Sequence, residues 1–220
     1  LYPLWAISMH DLDAKIYIVD DDEAFRDSLS WLLESNGFEV ELFAGAAEFL
    51  ESCKSKKPGC VVLDIRMPGM TGLELQEKLN KKGIRTPVIF VTGHGDIPMA
   101  VSAVKRGAMD FIEKPFNESE MLELIRNALV LDTQQREADE KQGLIYSRMA
   151  KLTSREREVM ECGIAGKSNK LIADLFGITV KTVEAHRAKV MDKMEANSLA
   201  QLVQLVAGLR VRNGNHQDYP

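Results

Sequence analysis

The chain has 220 residues, 45% hydrophobic and 28% charged, more than one ordinary domain needs and enough to build cores, which excludes a disordered tail. Its 28 Lys and Arg against 33 Asp and Glu leave a net charge of −5, a balance that, taken whole, disfavours a phosphate-rich partner. Cys53, Cys60 and Cys162 are too few for a disulfide framework and form no close C-x-x-C pair. No apolar run approaches the ~18 residues of a membrane span. The opening Leu-Tyr-Pro-Leu-Trp-Ala-Ile-Ser lacks the basic start and length of a signal peptide. Since the chain opens on Leu1, Met9 is read as the natural start and the first eight residues as an upstream extension. The expectation is a soluble, cytoplasmic, two-domain protein with no membrane partner.

The first half alternates short apolar runs with amphipathic stretches. Lys15–Val19 reads as a strand, and a helix follows through Phe25, Leu29, Leu32 and Leu33, stopped by Asn36-Gly37. Glu39–Phe43 is a strand, Ala46–Ser55 a helix, Cys60–Leu63 a strand and Gly72–Lys81 a helix. Pro87–Val91 is a strand, Ile97–Arg106 a helix and Ala108–Glu113 the last strand. A helix opening at Asn117, with Glu120 completing a capping box, runs to about Leu131. Five strand–helix pairs imply a parallel sheet with helices on both faces. The unalternating runs Val61-Val-Leu63 and Val88-Ile-Phe-Val91 are what strands buried on both faces should show.

From Asp132 to Ala150 the composition changes: Asp132 to Gln142 is polar all round and Gly143 follows, a helical extension or linker with little core to bury. Beyond it only helical patterns occur. Thr153-Ser-Arg-Glu156 is a capping box, Ser168–Phe176 a short helix stopped by Gly177, Thr179 a cap for a helix through Met194, and Ser198-Leu-Ala-Gln201 a box opening Leu199–Leu209. The expected domains are 13–132, a linker over 133–150, and a four-helix domain over 151–212. Charge divides along the same line: residues 1–150 hold 17 basic and 25 acidic residues, net −8, and residues 151–220 hold 11 and 8, net +3. The whole-chain figure hides a basic module behind an acidic one.

In an open parallel sheet chemistry gathers at the carboxyl ends of the strands. Those ends carry Asp20 and Asp21, Asp64, Thr92 and Lys114. Three carboxylates brought together repel by roughly 4 kcal/mol per pair at ~4 Å and an effective dielectric of 20. A divalent cation answers that, and oxygen ligation with room for water suits Mg²⁺, with Mn²⁺ the alternative. A carboxylate beside such a cation and a lysine can attack a phosphoryl donor, while Lys114 and the Thr92 hydroxyl meet the phosphoryl oxygens. Taken singly, each residue reads as a cap or a surface charge; it is the set at successive strand ends that carries the reading.

The strings Ile18-Val-Asp-Asp-Asp22, Val62-Leu-Asp-Ile-Arg-Met-Pro-Gly-Met-Thr-Gly72, Val91-Thr-Gly-His-Gly-Asp-Ile-Pro-Met99 and Asp110-Phe-Ile-Glu-Lys-Pro-Phe116 resemble a two-component response-regulator receiver domain, in particular the FixJ-type subgroup. The resemblance implies a CheY-like (flavodoxin-like) doubly wound five-stranded sheet and Asp64 as phosphoacceptor. It implies Mg²⁺ held by Asp21 directly, by Asp20 through water, by Asp64, and by the backbone carbonyl of Arg66. Thr92 and Lys114 would contact the phosphoryl group, a cis peptide would precede Pro115, and Phe111 would be a rotating switch aromatic. Plain packing is the other reading of Phe111.

In the helical half, Val180, Val183, Val190 and Met194 share one face of a wheel, and Lys181, Glu184, Ala185, Ala188 and Lys189 the opposite one. Small and basic residues on one face suit a helix entering the DNA major groove, and Thr179 and Thr182 at its positive end suit a phosphate. Leu152-Thr-Ser-Arg-Glu-Arg-Glu-Val159 and Val180-Lys-Thr-Val-Glu-Ala-His-Arg187 are similar to the LuxR/NarL-type four-helix, helix-turn-helix DNA-binding domain. That resemblance implies base contacts from Glu184, Ala185 and Ala188, and backbone contacts from Lys167, Asn169, Thr179, Lys181, Thr182, Arg187 and Lys189. His186 reads equally as a packed side chain or a phosphate contact. Together these readings imply a transcription regulator rather than a turnover enzyme. A sensor histidine kinase would phosphorylate Asp64; the chain would then form a homodimer, bind double-stranded promoter DNA and meet RNA polymerase. An Asp-nucleophile phosphatase is disfavoured by Arg66 where such enzymes carry a second acid, and a DNA-binding protein with a vestigial receiver by the complete pocket.

Overall fold

The computed structural model describes residues 14–52, 59–93, 99, 101, 104, 105 and 107–213. Met9, Cys53, residues 94–98 of the third motif and most of the helix expected over 97–106 lie outside the described residues. The chain divides into two compact units, Leu1–Gln135 and Arg136–Pro220.

In the first unit, β1 (Lys15–Val19), β2 (Glu39–Phe43), β3 (Gly59–Asp64), β4 (Val88–Thr92) and β5 (Asp110–Glu113) form one sheet. Its order is β2-β1-β3-β4-β5, every pair parallel. The sheet is doubly wound because alternate residues of each strand feed two cores. Val19, Val61, Leu63 and Phe90 pack with Phe43, Phe49 and Leu75, the last two from α2 (Ala46–Ser52) and α3 (Gly72–Lys81). Ile16, Ile18, Val62, Ile89 and Val91 pack on the opposite face with Leu29 and Leu33 of α1 (Glu23–Ser35) and Met121 and Ile125 of α4 (Glu118–Ala150). The last strand is two residues shorter than expected, starting at Asp110 rather than Ala108.

Helix ends follow their caps closely. Asp22 accepts the Phe25 amide at the start of α1, which Asn36 and Gly37 (φ 83°) end. Thr71 and Glu74 form a reciprocal capping box on α3. Asn117 caps α4 through the Ser119 amide at 2.9 Å, not through Glu120. α4 runs unbroken to Ala150, so the segment expected as a helical linker after Leu131 is the continuation of the same helix. Its polar stretch carries the exposed i,i+4 pair Glu137–Lys141 at 3.6 Å.

The second unit is helical: α5 (Ser154–Ile164), α6 (Asn169–Phe176), α7 (Val180–Met194) and α8 (Leu199–Asn213). Thr153 and Thr179 cap α5 and α7 as expected, Ser168, read as the first residue of α6, is its cap, and Gly177 ends α6 in the left-handed conformation at φ 64°. The box opening α8 is offset by one residue: Ser198 accepts the Gln201 amide at 3.1 Å, while Gln201 Oε1 reaches back to the Asn197 amide at 2.7 Å. Two clusters fill this unit. Met160, Val190, Met194, Leu202 and Val206 form one, with Ile145 and Met149 against it; Val159, Ile172, Ala173 and Val183 form the other.

Candidate phosphoryl-acceptor pocket and DNA-binding face

The carboxyl ends of β1 and β3 place Asp20 and Asp64 side by side. Asp20 is 1% exposed. Its Oδ2 accepts the Lys114 ammonium at 2.7 Å, its Oδ1 accepts the Asp22 amide at 2.9 Å, and its backbone carbonyl accepts Arg26 Nη1 at 2.7 Å. Asp64 accepts Lys114 Nζ on Oδ1 at 3.3 Å and the Arg66 amide on Oδ2 at 2.7 Å. Burial pushes the Asp64 carboxyl above its ordinary range, and the Asp20 charge adds to this; Lys114 and the Arg66 amide oppose both. The loop after β3 can lie this close because position 72 is glycine: a Cβ there would meet the Asp64 carbonyl oxygen at 2.2 Å.

Lys114 stands at the end of β5, its amide on the Thr92 carbonyl at 2.8 Å, and the Lys114–Pro115 peptide is cis, as the resemblance implied. The other expected members make different contacts. Thr92 is fully buried and its hydroxyl donates to the Gly93 carbonyl at 2.9 Å, not toward Asp64. Phe111 is partly buried against the cluster containing Leu63 and Phe90. Asp21 is exposed, and among the described residues no three carboxylate, histidine or cysteine side chains draw together as a metal cage. The expected three-carboxylate cluster is therefore a pair bridged by a lysine, because Lys114 supplies the positive charge that lets Asp20 and Asp64 approach. The donor set still suits a hard divalent cation: two facing carboxylates, an adjacent exposed one, and a raised Asp64 pKa that a cation would lower.

Three contributors escape the motif reading. Asp22 is the helix cap, Arg26 ties down the Asp20 backbone, and the Phe25 ring lies under the Lys114 ammonium, 3.7 Å from its centroid. Phe25 has a sequence signal only as an apolar helical position, which reads as core.

In the second unit, α6 and α7 pack through Ile172, Ala173 and Val183. This leaves Thr179, Lys181, Thr182, Glu184, Ala185, Ala188 and Lys189 exposed on and before α7. Thr179 Oγ1 accepts the Thr182 amide at 3.1 Å and lies 2.8 Å from Thr182 Oγ1. Lys167 and Asn169 are partly buried. Arg187 turns inward rather than out, donating from Nη1 to Asn169 Oδ1 at 3.0 Å. Val180, expected on the buried face, is 41% exposed in the first turn of α7. His186 has its Nδ1 buried without a hydrogen-bond partner, which favours the packed reading. Lys193 at the end of α7 donates to buried Glu156 at 2.6 Å. That bond, with the Thr153 amide, holds the Glu156 carboxyl down at about 2.

A parallel sheet with acids and a lysine at its carboxyl edge, carried with a helix-turn-helix unit, defines the class of a receiver coupled to DNA-binding output. Comparison with known proteins agrees. Residues 16–126 match the response regulator receiver domain family, and residues 150–206 match the bacterial regulatory proteins of the luxR family. The transcriptional regulatory protein FixJ of Bradyrhizobium diazoefficiens is 47% identical over 190 residues, 86% of this chain and 93% of that protein. The response regulator TmoT of Ectopseudomonas mendocina is 42% identical over 202 residues, 92% of each chain. Among solved structures, the response regulator StyR matches with a TM-score of 0.80 at 45% identity, covering 88% of this chain and 98% of that one. Full-length FixJ from B. japonicum matches at 0.57 and 45% identity, covering 90% and 98%. The chain belongs to the two-component response regulators of the FixJ type, transcription factors that pair a receiver with a LuxR-type DNA-binding domain and are not turnover enzymes.

Proposed function

We propose that Asp64 is the phosphoacceptor through which a sensor histidine kinase controls promoter binding by α7. The observation that carries this is the single ammonium of Lys114 shared between Asp20 and Asp64 at the edge of the parallel sheet. One Asp64 carboxylate oxygen bonds to phosphorus as the P–N bond of the donor phosphohistidine breaks, and the departing imidazole nitrogen takes up a proton. Lys114 is already within reach of the oxygens where charge develops. Receiver domains generally use Mg²⁺; here Asp20, Asp21, Asp64 and the Arg66 carbonyl would hold it, and it would neutralise phosphoryl charge.

The acyl phosphate adds about −1.5 to −2 charge beside an already buried acid. Thr92 must then leave the Gly93 carbonyl to donate to it. Phe111, partly buried against the cluster containing Leu63 and Phe90, would rotate with that change as the switch aromatic. Phosphorylation thereby favours the receiver state that forms a homodimer in the cytoplasm. The dimer presents two copies of α7 to half-sites about 34 Å apart and engages RNA polymerase there. Glu184, Ala185 and Ala188 read bases; Lys167, Asn169, Thr179, Lys181, Thr182 and Lys189 hold the backbone; Arg187 joins them through Asn169. The test is transfer of labelled phosphoryl from a cognate phosphorylated kinase in Mg²⁺: wild type should take up a base-labile label and Asp64→Asn none. A label of equal size on Asp64→Asn contradicts the assignment.

A further inference from the structure

We propose that Phe25 is a positioning residue of the phosphoryl-acceptor pocket, its ring holding the Lys114 ammonium on Asp20 and Asp64. The inference rests on the assignment of Asp64 as phosphoacceptor and concerns what keeps its lysine in place. An ammonium has three N–H bonds. Those of Lys114 are directed to Asp20 Oδ2 at 2.7 Å and Asp64 Oδ1 at 3.3 Å, and the remaining side of the group faces the Phe25 ring centroid at 3.7 Å. That distance places a cation on the electron-rich face of the ring, an electrostatic attraction that an aliphatic side chain of similar volume cannot supply.

The ring is itself held. Phe25 sits in the first turn of α1, where the Asp22 cap accepts its own amide at 3.2 Å. The Phe116 ring meets it edge-on, 6.0 Å between centroids and 89° between planes. Phe116 follows Lys114 by two residues, so the same short segment supplies the cation and the aromatic edge that steers its platform. The helix cap next to the acidic pair and the segment after β5 thus converge on one ammonium. A long, rotamer-rich lysine is in this way confined to the edge of the pocket and shielded from water on its third side. Phe25 also lines an open groove of about 520 Å³ with Trp31, Lys114 and Phe116. Changing its side chain therefore leaves no sealed cavity in the core.

A purely packing role is separated from this one by Phe25→Leu, which keeps apolar volume and removes the ring, and Phe25→Tyr, which keeps the ring. In the chelator-treated full-length protein, the Lys114 ε-methylene protons should resonate upfield in wild type and F25Y, and move to ordinary lysine positions in F25L. In Mg²⁺ with acetyl phosphate, an Asp64 oxygen bonds to phosphorus as the P–O bond to the acetyl group breaks and acetate leaves. F25L should slow this step roughly 3- to 10-fold, F25Y should recover most of the rate, and F25L added to Lys114→Met should slow it no further. The inference is overturned if F25L matches wild type, if F25Y is as slow as F25L, or if F25L slows the Lys114→Met chain by the same factor. A wild type that takes no phosphoryl group removes the Asp64 assignment and the ring's role with it; a phosphorylated wild type matched by F25L removes the ring's role alone.

Discussion

Asp64 and Glu156 are carboxylates displaced in opposite directions by their surroundings. Asp64 is raised by burial and by Asp20, so between its unfolded and folded values the folded chain binds more protons, and stability falls as pH rises through that interval. Asp64→Asn should therefore raise the receiver's thermal midpoint at pH 7 in chelator, with the gain vanishing below the ordinary aspartate range; a lower midpoint at pH 7 would contradict this. Glu156 is held from its usual 4.5 down to about 2 by Lys193 and the Thr153 amide. Its contribution is complete above the ordinary glutamate range and is lost as pH falls from about 4.5 toward about 2. Denaturant titrations between pH 7 and 2 should show Glu156→Gln flattening that loss in the helical unit. At this scale the sequence shows Asp20, Asp64 and Lys114 because strand ends converge by topology. It does not show that Thr92 turns to its neighbour's carbonyl, or that Phe25 serves a cation, because rotamers and ring faces leave no periodic signal.

The strands and most helix ends were legible in the chain. Buried parallel strands need continuous apolar runs, and Thr153, Ser168 and Thr179 each precede a helix with a free amide to cap. The unbroken join of the helix ending near Leu131 to the helical linker was not, since the polar stretch just after Leu131 has no apolar stripe to mark where a helix ends. The last turn of α4 has a definite task. Arg148 donates to the Met194 carbonyl at 3.4 Å and pairs with the Glu195 carboxylate, where Glu195 adopts φ 52°, an unusual left-handed non-glycine at the end of α7. Arg148→Ala should destabilise the helical unit by about 1–2 kcal/mol in denaturant unfolding; an unchanged midpoint would show the end of α7 to be self-supporting. On the exposed face of α7, Lys189→Ala should weaken DNA binding on all sequences alike and reduce the salt slope by about 1. Ala188→Leu should instead abolish preference among sequences, because a larger side chain bars close approach to the bases. Competition between selected and random duplexes separates the two effects.

Across the whole molecule, the net charge of −5 conceals −8 over residues 1–150 and +3 over residues 151–220. Part of the acidic excess is Asp20, Asp21 and Asp64 themselves. A module with only three net positive charges draws little general attraction to DNA from its net charge, so on the proposed reading two copies joined as a homodimer would supply much of the affinity. Coupling between sites of this kind amounts to about 1–3 kcal/mol, or roughly 5- to 150-fold in affinity. The most direct test is operator affinity at fixed salt, on duplexes selected from a random pool by acetyl phosphate-treated protein, for wild type and Asp64→Asn with and without acetyl phosphate. Treatment should tighten wild-type binding by about 10-fold or more and leave Asp64→Asn unchanged; equal tightening in both, or none in wild type, would contradict the account.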